Sequence, residues 1–371
     1  MLKLVIVVGT RPEIIRLAET IKCASKLFNV TLIHTGQNYD RTLKDVFLRE
    51  LGLTDCDNLE YKEIDCVGEN LGHTVGNVIR NSYELFREIK PDALLILGDT
   101  NSCLSSYSAK ILKIPIFHME AGNRCFDPNV PEEVNRMMID RLSDINICYT
   151  EHARRNLIAE GLKPAYTFVV GSPMPEVIDK MYEKIEASDV LERLSLERKK
   201  YILISSHREE NVDNPIKFQE LVHSITKIAE TNDKPVIITT HPRLRKKIEE
   251  NRIRFPDSVT LSDPFGFTDY CWLQMNSFFV ASDSGTLTEE SNYLNFPAVL
   301  IRDSTEHPEG IDAGTIVLGT VCWDSLQNSI ETLLESKSNP DSIYPYAKVS
   351  EIVCKIISGY TSIVNKFLWM K

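Results

Sequence analysis

The sequence predicts an α/β protein with two domains, each built on a doubly wound parallel β-sheet. Three observations lead to this prediction: a length of 371 residues, short apolar runs rich in β-branched residues, and a longer amphipathic segment after each run. A chain of this length is sufficient for two ordinary domains. Continuous apolar runs that alternate with helical segments are typical of parallel strands covered by helices on both faces.

The apolar runs form two series of similar order. The first series comprises residues 4–8, 30–34, 93–97, 114–118, 145–149 and 167–170, and the second comprises 201–205, 235–239, 258–261, 278–281, 298–301 and 315–318. Because the series occurs twice, we expect one sheet in each half of the chain. We place a first domain at residues 1–170, a second at 171–348, and a C-terminal helix at 349–371 that packs back on the first domain.

The composition argues against several classes of protein. A net charge of −11 disfavours non-specific nucleic-acid binding, and no apolar run approaches the roughly 18 residues of a transmembrane helix. The nine cysteines are scattered and contain no C-x-x-C pair, which disfavours a zinc site and fits a reducing cytoplasm. Since P-loop, H-E-x-x-H and G-x-S-x-G motifs are absent, ATPase, zinc-protease and serine-hydrolase functions lose their usual support.

The first predicted strand ends in the sequence G-T-R-P-E. Ligands of open α/β sheets bind outside the carboxyl ends of the strands. Thr10 and Glu13 have the spacing of a capping box, so a helix is expected to begin here, with Glu13 as its cap. The free amides of the first turn and Arg11 would attract an anion. A capped helix that binds no ligand explains the same residues.

Three acidic residues follow later strands of the first half. Asp99 follows the run 93–97, Glu120 follows the run 114–118, and Glu132 opens the next helix one turn before Arg136. Taken singly, such residues also serve as helix caps or as surface charges favoured by the helix dipole. At a single sheet edge, however, neighbouring carboxylates raise one another's proton affinity, an arrangement that acid/base chemistry uses.

The second half offers a histidine and a phosphate-binding loop. His207 follows the run 201–205 beside Arg208, where it either titrates near neutrality or has a purely structural role. Residues 282–290 place Ser284 and Gly285 between a strand and a helix. Small residues at such a junction are typical of an amide-lined phosphate cradle.

Further candidates flank this cradle. Glu290 lies inside the helix that follows, where its carboxylate can accept hydrogen bonds from a ribose. Tyr270 and Trp272 precede the strand and either stack on a base or belong to the core. Arg302 opens a polar loop that is long enough to carry function.

Nine motifs, taken in order, resemble those of the bacterial non-hydrolysing UDP-N-acetylglucosamine 2-epimerases. They are G-T-R-P-E, H-T-G-Q, L-G-D-T, H-M-E-A-G-N-R, P-E-E-V-N-R, S-H-R-E-E-N, T-H-P-R, D-S-G-T-L-T-E-E and R-D-S-T-E-H-P-E-G. The resemblance covers essentially the whole chain. Nine ordered motifs at strand ends are far more specific than any one of them.

The resemblance implies a glycosyltransferase-B-like fold, in which two Rossmann-like domains face a cleft, and a cytoplasmic homodimer. It implies a UDP-sugar and UDP as ligands, with no metal or other cofactor, no nucleic acid and no membrane insertion. The implied reaction is epimerisation at C2 of a UDP-N-acetyl-hexosamine, such as UDP-N-acetylglucosamine to UDP-N-acetylmannosamine, for surface polysaccharide precursors. UDP is eliminated to give a glycal and is then added back with the C2 proton on the opposite face.

The same resemblance assigns roles to individual positions. The family's acidic catalytic positions match Asp99, Glu120 and Glu132, and its catalytic histidine matches His207. Positions that bind the substrate match Arg11, Arg136, Ser284, Gly285 and Glu290, with Tyr270 near the uracil; Arg16 and Arg302 complete the expected substrate-binding set.

Four positions depart from the family pattern. Arg16 stands in place of a lysine and keeps its charge, although arginine does not replace lysine as a proton-transfer group. Glu209 replaces a positive charge, and His307 replaces the arginine of an E-R-P-E loop. Asn38 replaces the histidine of a regulatory Q-H pair, which puts allosteric control by UDP-N-acetylglucosamine in doubt. Several departures are also typical of the branch that makes UDP-N-acetyl-L-fucosamine from a UDP-6-deoxy-L-hexosamine.

Three alternative functions remain open at this point. A UDP-sugar glycosyltransferase of the same fold needs one base and an acceptor groove, and fold alone does not settle chemistry. A non-catalytic UDP-sugar sensor would keep the phosphate cradle and could lose the acids. A hydrolytic epimerase would release free UDP together with the epimerised sugar.

Overall fold

The computed structural model describes residues 1–36, 48–336, 343–344 and 348–371. The chain divides into two compact units: unit 1 is Met1–Val177 with Tyr344–Lys371, and unit 2 is Ile178–Ile343. Each unit is a Rossmann-like α/β structure around one wholly parallel sheet. The predicted fold class, with two doubly wound parallel-sheet domains of the glycosyltransferase-B-like type, is therefore confirmed.

Unit 1 contains a seven-stranded sheet. Its strands are β1 (Lys3–Val8), β2 (Asn29–His34), β3 (Leu59–Glu63), β4 (Ala93–Leu97), β5 (Ile116–Met119), β6 (Ile145–Cys148) and β7 (Thr167–Val169). They are ordered β3-β2-β1-β4-β5-β6-β7. The helices between them are α1 (Arg11–Leu27), α2 (Leu71–Ile89), α3 (Ser105–Ile111), α4 (Pro131–Leu142) and α5 (Glu151–Ala159).

Burial explains why most of these strands are recognisable in the sequence. Every residue of β4 is fully buried, as parallel strands with helices on both faces require. The edge strand β3, with the sequence L-E-Y-K-E, has no fully buried residue. The six runs predicted for this half omit β3 because its charged residues interrupt the apolar pattern, and the sheet corrects that prediction.

Unit 2 repeats the architecture with six strands. They are β8 (Ile202–Ser206), β9 (Val236–Thr240), β10 (Val259–Ser262), β11 (Val280–Ser282), β12 (Ala298–Ile301) and β13 (Ile316–Gly319), in the order β10-β9-β8-β11-β12-β13. The helices are α6 (Met174–Glu186), which spans the division between the units, α7 (Val190–Arg193), α8 (Glu209–Val212), α9 (Pro215–Thr231), α10 (Pro242–Glu250), α11 (Phe267–Asn276), α12 (Leu287–Leu294), α13 (Pro308–Asp312) and α14 (Trp323–Glu335).

The last helix, α15 (Val349–Phe367), belongs to unit 1 and packs against α1. Its first turn is held by Glu176, whose carboxylate accepts hydrogen bonds from the backbone nitrogen of Ser350 at 2.8 Å and from its hydroxyl at 2.5 Å. Among the helices of the described residues, none is long and apolar enough to cross a membrane.

The strand order fixes where ligands can bind. In unit 1 the chain leaves β1 toward β2 and β3 on one side, then returns to β4 on the other. Unit 2 does the same around β8 and β11. Such a reversal opens a crevice between two loops at the carboxyl ends of the adjacent strands. The β1/β4 and β8/β11 edges are therefore the places to look for function.

Candidate active site

Glu13 joins the two loops at the β1/β4 edge. Its Oε2 accepts hydrogen bonds from the backbone nitrogens of Gly9 (2.9 Å) and Thr10 (2.7 Å), and from the Thr10 hydroxyl (2.8 Å). Its Oε1 accepts from the hydroxyls of Thr100 (3.0 Å) and Ser102 (2.8 Å). Burial raises the pKa of Glu13, and these hydrogen bonds oppose that shift. Glu13 therefore caps α1, as the sequence predicts.

Asp99 lies directly beyond β4 and is held by α4. Its Oδ2 is 2.8 Å from Nε and 2.7 Å from Nη2 of Arg136. The side-chain amide of Asn135 donates to the Asp99 carbonyl oxygen at 2.9 Å. The Asp99 side chain keeps 18% of its surface exposed, so a ligand can reach the carboxylate that the guanidinium orients.

Arg136 is itself fixed by a second carboxylate. Its Nη1 donates to Oε2 of buried Glu133 at 2.5 Å, and Glu133 also accepts from the backbone nitrogens of Cys125 (3.2 Å) and Phe126 (3.1 Å). Glu133 is thus the structural acid of the P-E-E-V-N-R motif. Glu132 is only partly buried and lies one turn before Arg136, on the same face of α4.

Glu120 occupies a strained position after β5. Its φ of +67° is left-handed, which is uncommon for a residue with a side chain and clusters at functional sites. Its Oε2 accepts a hydrogen bond from Nη1 of Arg16 on α1. Gly98 makes room for this pair, because a Cβ there would lie 3.2 Å from Glu120 Oε2 and 3.6 Å from Arg16 Nη2.

Unit 1 thus gathers four of the predicted residues at the carboxyl ends of β1, β4 and β5. Asp99 pairs with Arg136, and Glu120 pairs with Arg16. Arg11 occupies the first position of α1 and is exposed. The Gln37–Asn38 pair lies outside the described residues.

In unit 2, a buried aspartate that the sequence analysis missed organises the β8/β11 edge. The fully buried carboxylate of Asp283 accepts hydrogen bonds from the Ser206 hydroxyl (2.7 Å), the backbone nitrogens of His207 (3.0 Å) and Arg208 (3.1 Å), and the Asn211 side chain (3.1 Å). A signal existed: this aspartate directly follows a strand that pairs with β8.

Asp283 also orients the ring of His207, since its Oδ1 lies 3.2 Å from Nδ1. About 40% of the side chain is exposed, yet the atoms around the ring displace enough water that burial lowers the pKa of His207. Asp283 opposes that shift, and Arg208 reinforces it. An Nδ1–H directed at Asp283 leaves Nε2 as the basic nitrogen of a neutral ring.

In the loop from β11 to α12, side chains pack closely against the backbone. The hydroxyls of Ser284 and Thr286 are hydrogen-bonded at 3.1 Å. A Cβ on Gly285 would lie 3.2 Å from Oε1 of Glu306 and 3.3 Å from Nη2 of Arg208. Glycine therefore lets charged groups pack against the backbone at this point.

Glu290 lies one turn into α12, and its carboxylate accepts hydrogen bonds from two side chains. Its Oε1 accepts from the Thr286 hydroxyl at 2.8 Å and its Oε2 from the Gln274 side chain at 2.6 Å. Nearby, burial and the charge of Glu290 raise the pKa of Tyr270, which is half-buried in the first turn of α11. Trp272 is buried beneath Arg198 and belongs to the core.

Two arginines converge on Glu306. Arg302 is buried and its Nη1 donates to Glu306 Oε2 at 2.6 Å, while Nη2 of Arg208 donates to Oε1 at 3.2 Å. Of these groups, Glu306 and Arg208 lie beside Gly285. No group of three or more His, Cys, Asp or Glu side chains within the described ranges is arranged to hold a metal ion.

His307 follows in the same loop and is buried. Its Nδ1 lies 3.0 Å from Oε1 of Glu309. Burial alone would lower the pKa of His307, but the hydrogen bond to Glu309 and the charges of Glu309, Glu306 and Glu289 outweigh it and raise the pKa to about 9. At neutral pH this histidine therefore carries a positive charge, as the arginine of the family motif would.

Comparison with known proteins finds similarity along almost the whole chain. The sequence profile of the UDP-N-acetylglucosamine 2-epimerase family matches residues 21–358. The solved UDP-N-acetylglucosamine 2-epimerase of Rickettsia bellii is 42% identical, with a TM-score of 0.89 and 100% of each chain covered. The Methanocaldococcus jannaschii enzyme, solved with UDP-GlcNAc and UDP, is 31% identical over 96% of this chain and 100% of that one, also with a TM-score of 0.89.

A relative with a different substrate is equally similar. The UDP-2,3-diacetamido-2,3-dideoxy-D-glucuronate 2-epimerase of Pseudomonas aeruginosa is 32% identical over 338 residues, which cover 90% of this chain and 92% of the relative. The profile match and these full-length similarities lead to one conclusion. This chain belongs to the UDP-N-acetylglucosamine 2-epimerase family.

Proposed function

We propose that this protein is an isomerase that inverts C2 of a UDP-N-acetyl-hexosamine, converting UDP-N-acetylglucosamine to UDP-N-acetylmannosamine. The observation that carries the proposal is the pair of carboxylates at neighbouring strand ends. Asp99 follows β4 and Glu120 follows β5, and each is held by its own arginine. A glycosyltransferase needs a single base, whereas epimerisation needs one group to remove a proton and another to return it.

The chemistry explains why several acids are useful. The C2 proton is poorly acidic, so its removal is coupled to loss of UDP from C1, which leaves a glycal. UDP then returns to C1 while a proton is delivered to the opposite face of C2. Asp99, Glu120 and Glu132 supply the proton-transfer groups, and Arg136 and Arg16 fix the positions of Asp99 and Glu120.

The strand-end loops of unit 2 suit the UDP moiety. Backbone amides at Ser284 and Gly285 would hold the diphosphate at the start of α12. Glu290 would accept hydrogen bonds from the ribose, and Tyr270 would stack on the uracil. The basic Nε2 of His207 would first take up a proton and would then donate it, or a hydrogen bond, to the departing diphosphate. Arg302 of the same unit would balance its charge, and Arg11, Arg16 and Arg136 of unit 1 are the further substrate-binding residues of the proposal.

The identity of the hexosamine requires its own test. The Pseudomonas aeruginosa relative acts on a diacetamido uronate, so family membership fixes the reaction more firmly than the sugar. The departures at Glu209 and His307 favour the UDP-6-deoxy-L-hexosamine of UDP-N-acetyl-L-fucosamine synthesis as the second candidate. Incubation with each nucleotide sugar, followed by NMR of the C2 configuration, decides between them. No inversion with either would refute both.

We propose a homodimer that acts in the cytoplasm. Five large apolar side chains on the contacting helices α3 and α4 remain 44–56% exposed; they are Tyr107, Ile111, Val134, Met137 and Met138. An exposed apolar patch of this kind is typical of a subunit interface. The cysteines are free thiols, which fits a reducing compartment. Light scattering at micromolar concentration should give twice the 42.3 kDa chain mass, and a monomer would contradict the proposal.

A further inference from the structure

A fully buried histidine outside the predicted site bridges two functional loops. His118 lies in β5 and has none of its surface exposed. Its Nδ1 is 2.9 Å from Oδ1 of Asp140 on α4, and its Nε2 is 3.0 Å from the carbonyl oxygen of Gly98. Gly98 immediately precedes Asp99, so His118 is in contact with the turn that carries a proposed catalytic acid.

The partners of His118 determine the hydrogen bond that it makes to the turn. The Gly98 carbonyl can only accept a hydrogen bond, so Nε2 carries a hydrogen and donates it. On the other side of the ring, Asp140 accepts from Nη1 of Arg124 at 2.7 Å and from the backbone nitrogen of Gly122 at 3.2 Å. These contacts hold the Asp140 carboxylate against Nδ1.

Asp140 belongs to a network of hydrogen-bonded charged side chains. It lies between His118 and Arg124, and Arg124 also donates from Nε and Nη2 to the two carboxylate oxygens of Glu160, at 2.8 and 2.7 Å. A buried charge is tolerated when it is paired and hydrogen-bonded in this way.

The Gly98 turn is consequently fastened to β5 through both of its backbone groups. The Gly98 nitrogen donates to the carbonyl oxygen of Met119 at 3.1 Å, and its carbonyl accepts from His118. The turn has a φ of +73°, and the Glu120 carboxylate lies over it. If the hydrogen bond to the Gly98 carbonyl were lost, Asp99 would shift and the space that Glu120 occupies would change.

We propose that His118 is a positioning residue of the epimerase: its ring, held by Asp140, anchors the Gly98 carbonyl and so sets Asp99 relative to Glu120. This inference rests on the proposed C2 epimerisation. A misplacement of about 1 Å in a catalytic group can cost on the order of 100-fold in rate. Loss of the anchor should therefore lower kcat and leave KM nearly unchanged.

Substitution of His118 by each of two neutral amides tests the two hydrogen bonds of the ring separately. The nitrogen of Gln at position 118 can take the place of Nε2 and keep the bond to Gly98, whereas the nitrogen of Asn takes the place of Nδ1 and keeps only the bond to Asp140. We expect kcat of His118→Asn to fall by about 10- to 100-fold and that of His118→Gln to fall less. His223→Asn, at an exposed histidine of α9, is the matched control.

Each outcome bears on the inference. The folded fraction of every variant is measured by chemical denaturation, and kcat is expressed per folded molecule. Wild-type kcat in His118→Asn, or equal losses in both variants, would overturn the anchoring role. An inactive wild-type enzyme with every UDP-hexosamine would instead refute the proposed function. If His118→Asn does not fold, ¹⁵N NMR of the wild-type ring decides: a hydrogen on Nε2 is expected, and an Nε2 without a hydrogen overturns the proposal.

Discussion

Oδ2 of Asp99 lies 2.8 Å from Nε and 2.7 Å from Nη2 of Arg136, so two nitrogens of the guanidinium contact the same carboxylate oxygen. Glu120 is paired with a different arginine, Arg16, from a different helix. Each of the two acids on adjacent strands is thus fixed by an arginine of its own. A reversible two-base epimerisation requires two proton-transfer groups in fixed positions.

The first prediction concerns these acids. Asp99→Asn and Glu120→Gln keep the shape of each side chain and remove its capacity to transfer a proton. We expect kcat to fall by about 10²- to 10⁴-fold in each variant, while UDP still binds. Turnover measured by NMR and UDP affinity measured by calorimetry test this. Glu197→Gln, at an exposed carboxylate, should behave like wild type, and near-normal turnover in Asp99→Asn would show that Asp99 does not transfer the proton.

Gly98 gives a second prediction. Gly98→Ala should destabilise the fold by about 1 kcal/mol, because its φ of +73° disfavours a side chain. It should also lower kcat, because the new Cβ would press on Glu120 Oε2 from 3.2 Å. Denaturation curves and steady-state kinetics measure the two effects.

The control for Gly98→Ala is Gly76→Ala, in an exposed part of α2, where a Cβ meets nothing within 4 Å. That variant should keep wild-type kcat and gain slightly in stability, because alanine is the better helix former. Equal kinetics in the two variants would show that Glu120 does not depend on the space above Gly98.

Gly285 gives a third prediction, on nucleotide binding. Gly285→Ala would push the ends of Glu306 and Arg208 away from the loop and hinder the approach of a diphosphate to the backbone. We expect UDP affinity to fall by about tenfold, or 1.4 kcal/mol. Calorimetry with UDP measures the change, with Gly359→Ala on α15 as the control. An unchanged dissociation constant for UDP would show that this loop does not bind the phosphates.

The fourth prediction follows from the charge on His307. Its pKa is about 9 in the folded protein and 6.5 without the fold, so the folded state binds the proton more tightly. The stabilisation by His307 should be complete below about pH 6.5 and disappear as the pH rises through 9. At most about 3 kcal/mol is involved.

The difference in unfolding free energy between wild type and His307→Gln measures that stabilisation between pH 6 and 10. We expect the difference to shrink as the pH rises. A difference independent of pH would mean that His307 is neutral in the folded protein, and His223→Gln, at an exposed histidine, controls for general pH effects.

The sequence predicts the strands best where both faces are buried. The run 93–97 coincides with β4, and most other strands begin or end within one or two residues of their runs. The edge strand β3 is not predicted, because its residues are partly exposed to solvent and largely charged. Apolar periodicity detects burial, so a strand with little burial leaves little trace.

The candidate site shows the same limit. Asp99, Glu120 and His207 are recognisable because they end strands, where ligands bind. Asp283 also follows a strand, but its role as the acceptor that holds the His207 loop comes from contacts with residues distant in sequence, and the same is true of the His118–Asp140 pair. His118 lies 22 positions from Asp140 and 20 from Gly98. Only the folded chain shows that a buried aspartate holds the loop of His207.

The central claim, reversible elimination across C1 and C2, is tested most directly in D₂O. The enzyme is incubated separately with UDP-N-acetylglucosamine and with the UDP-6-deoxy-L-hexosamine, and C2 is followed by NMR and mass spectrometry. The account predicts, for the true substrate, one deuterium at C2 of the epimerised product and no accumulation of free UDP. Inversion that retains the original hydrogen, or no exchange with either nucleotide sugar, would contradict it.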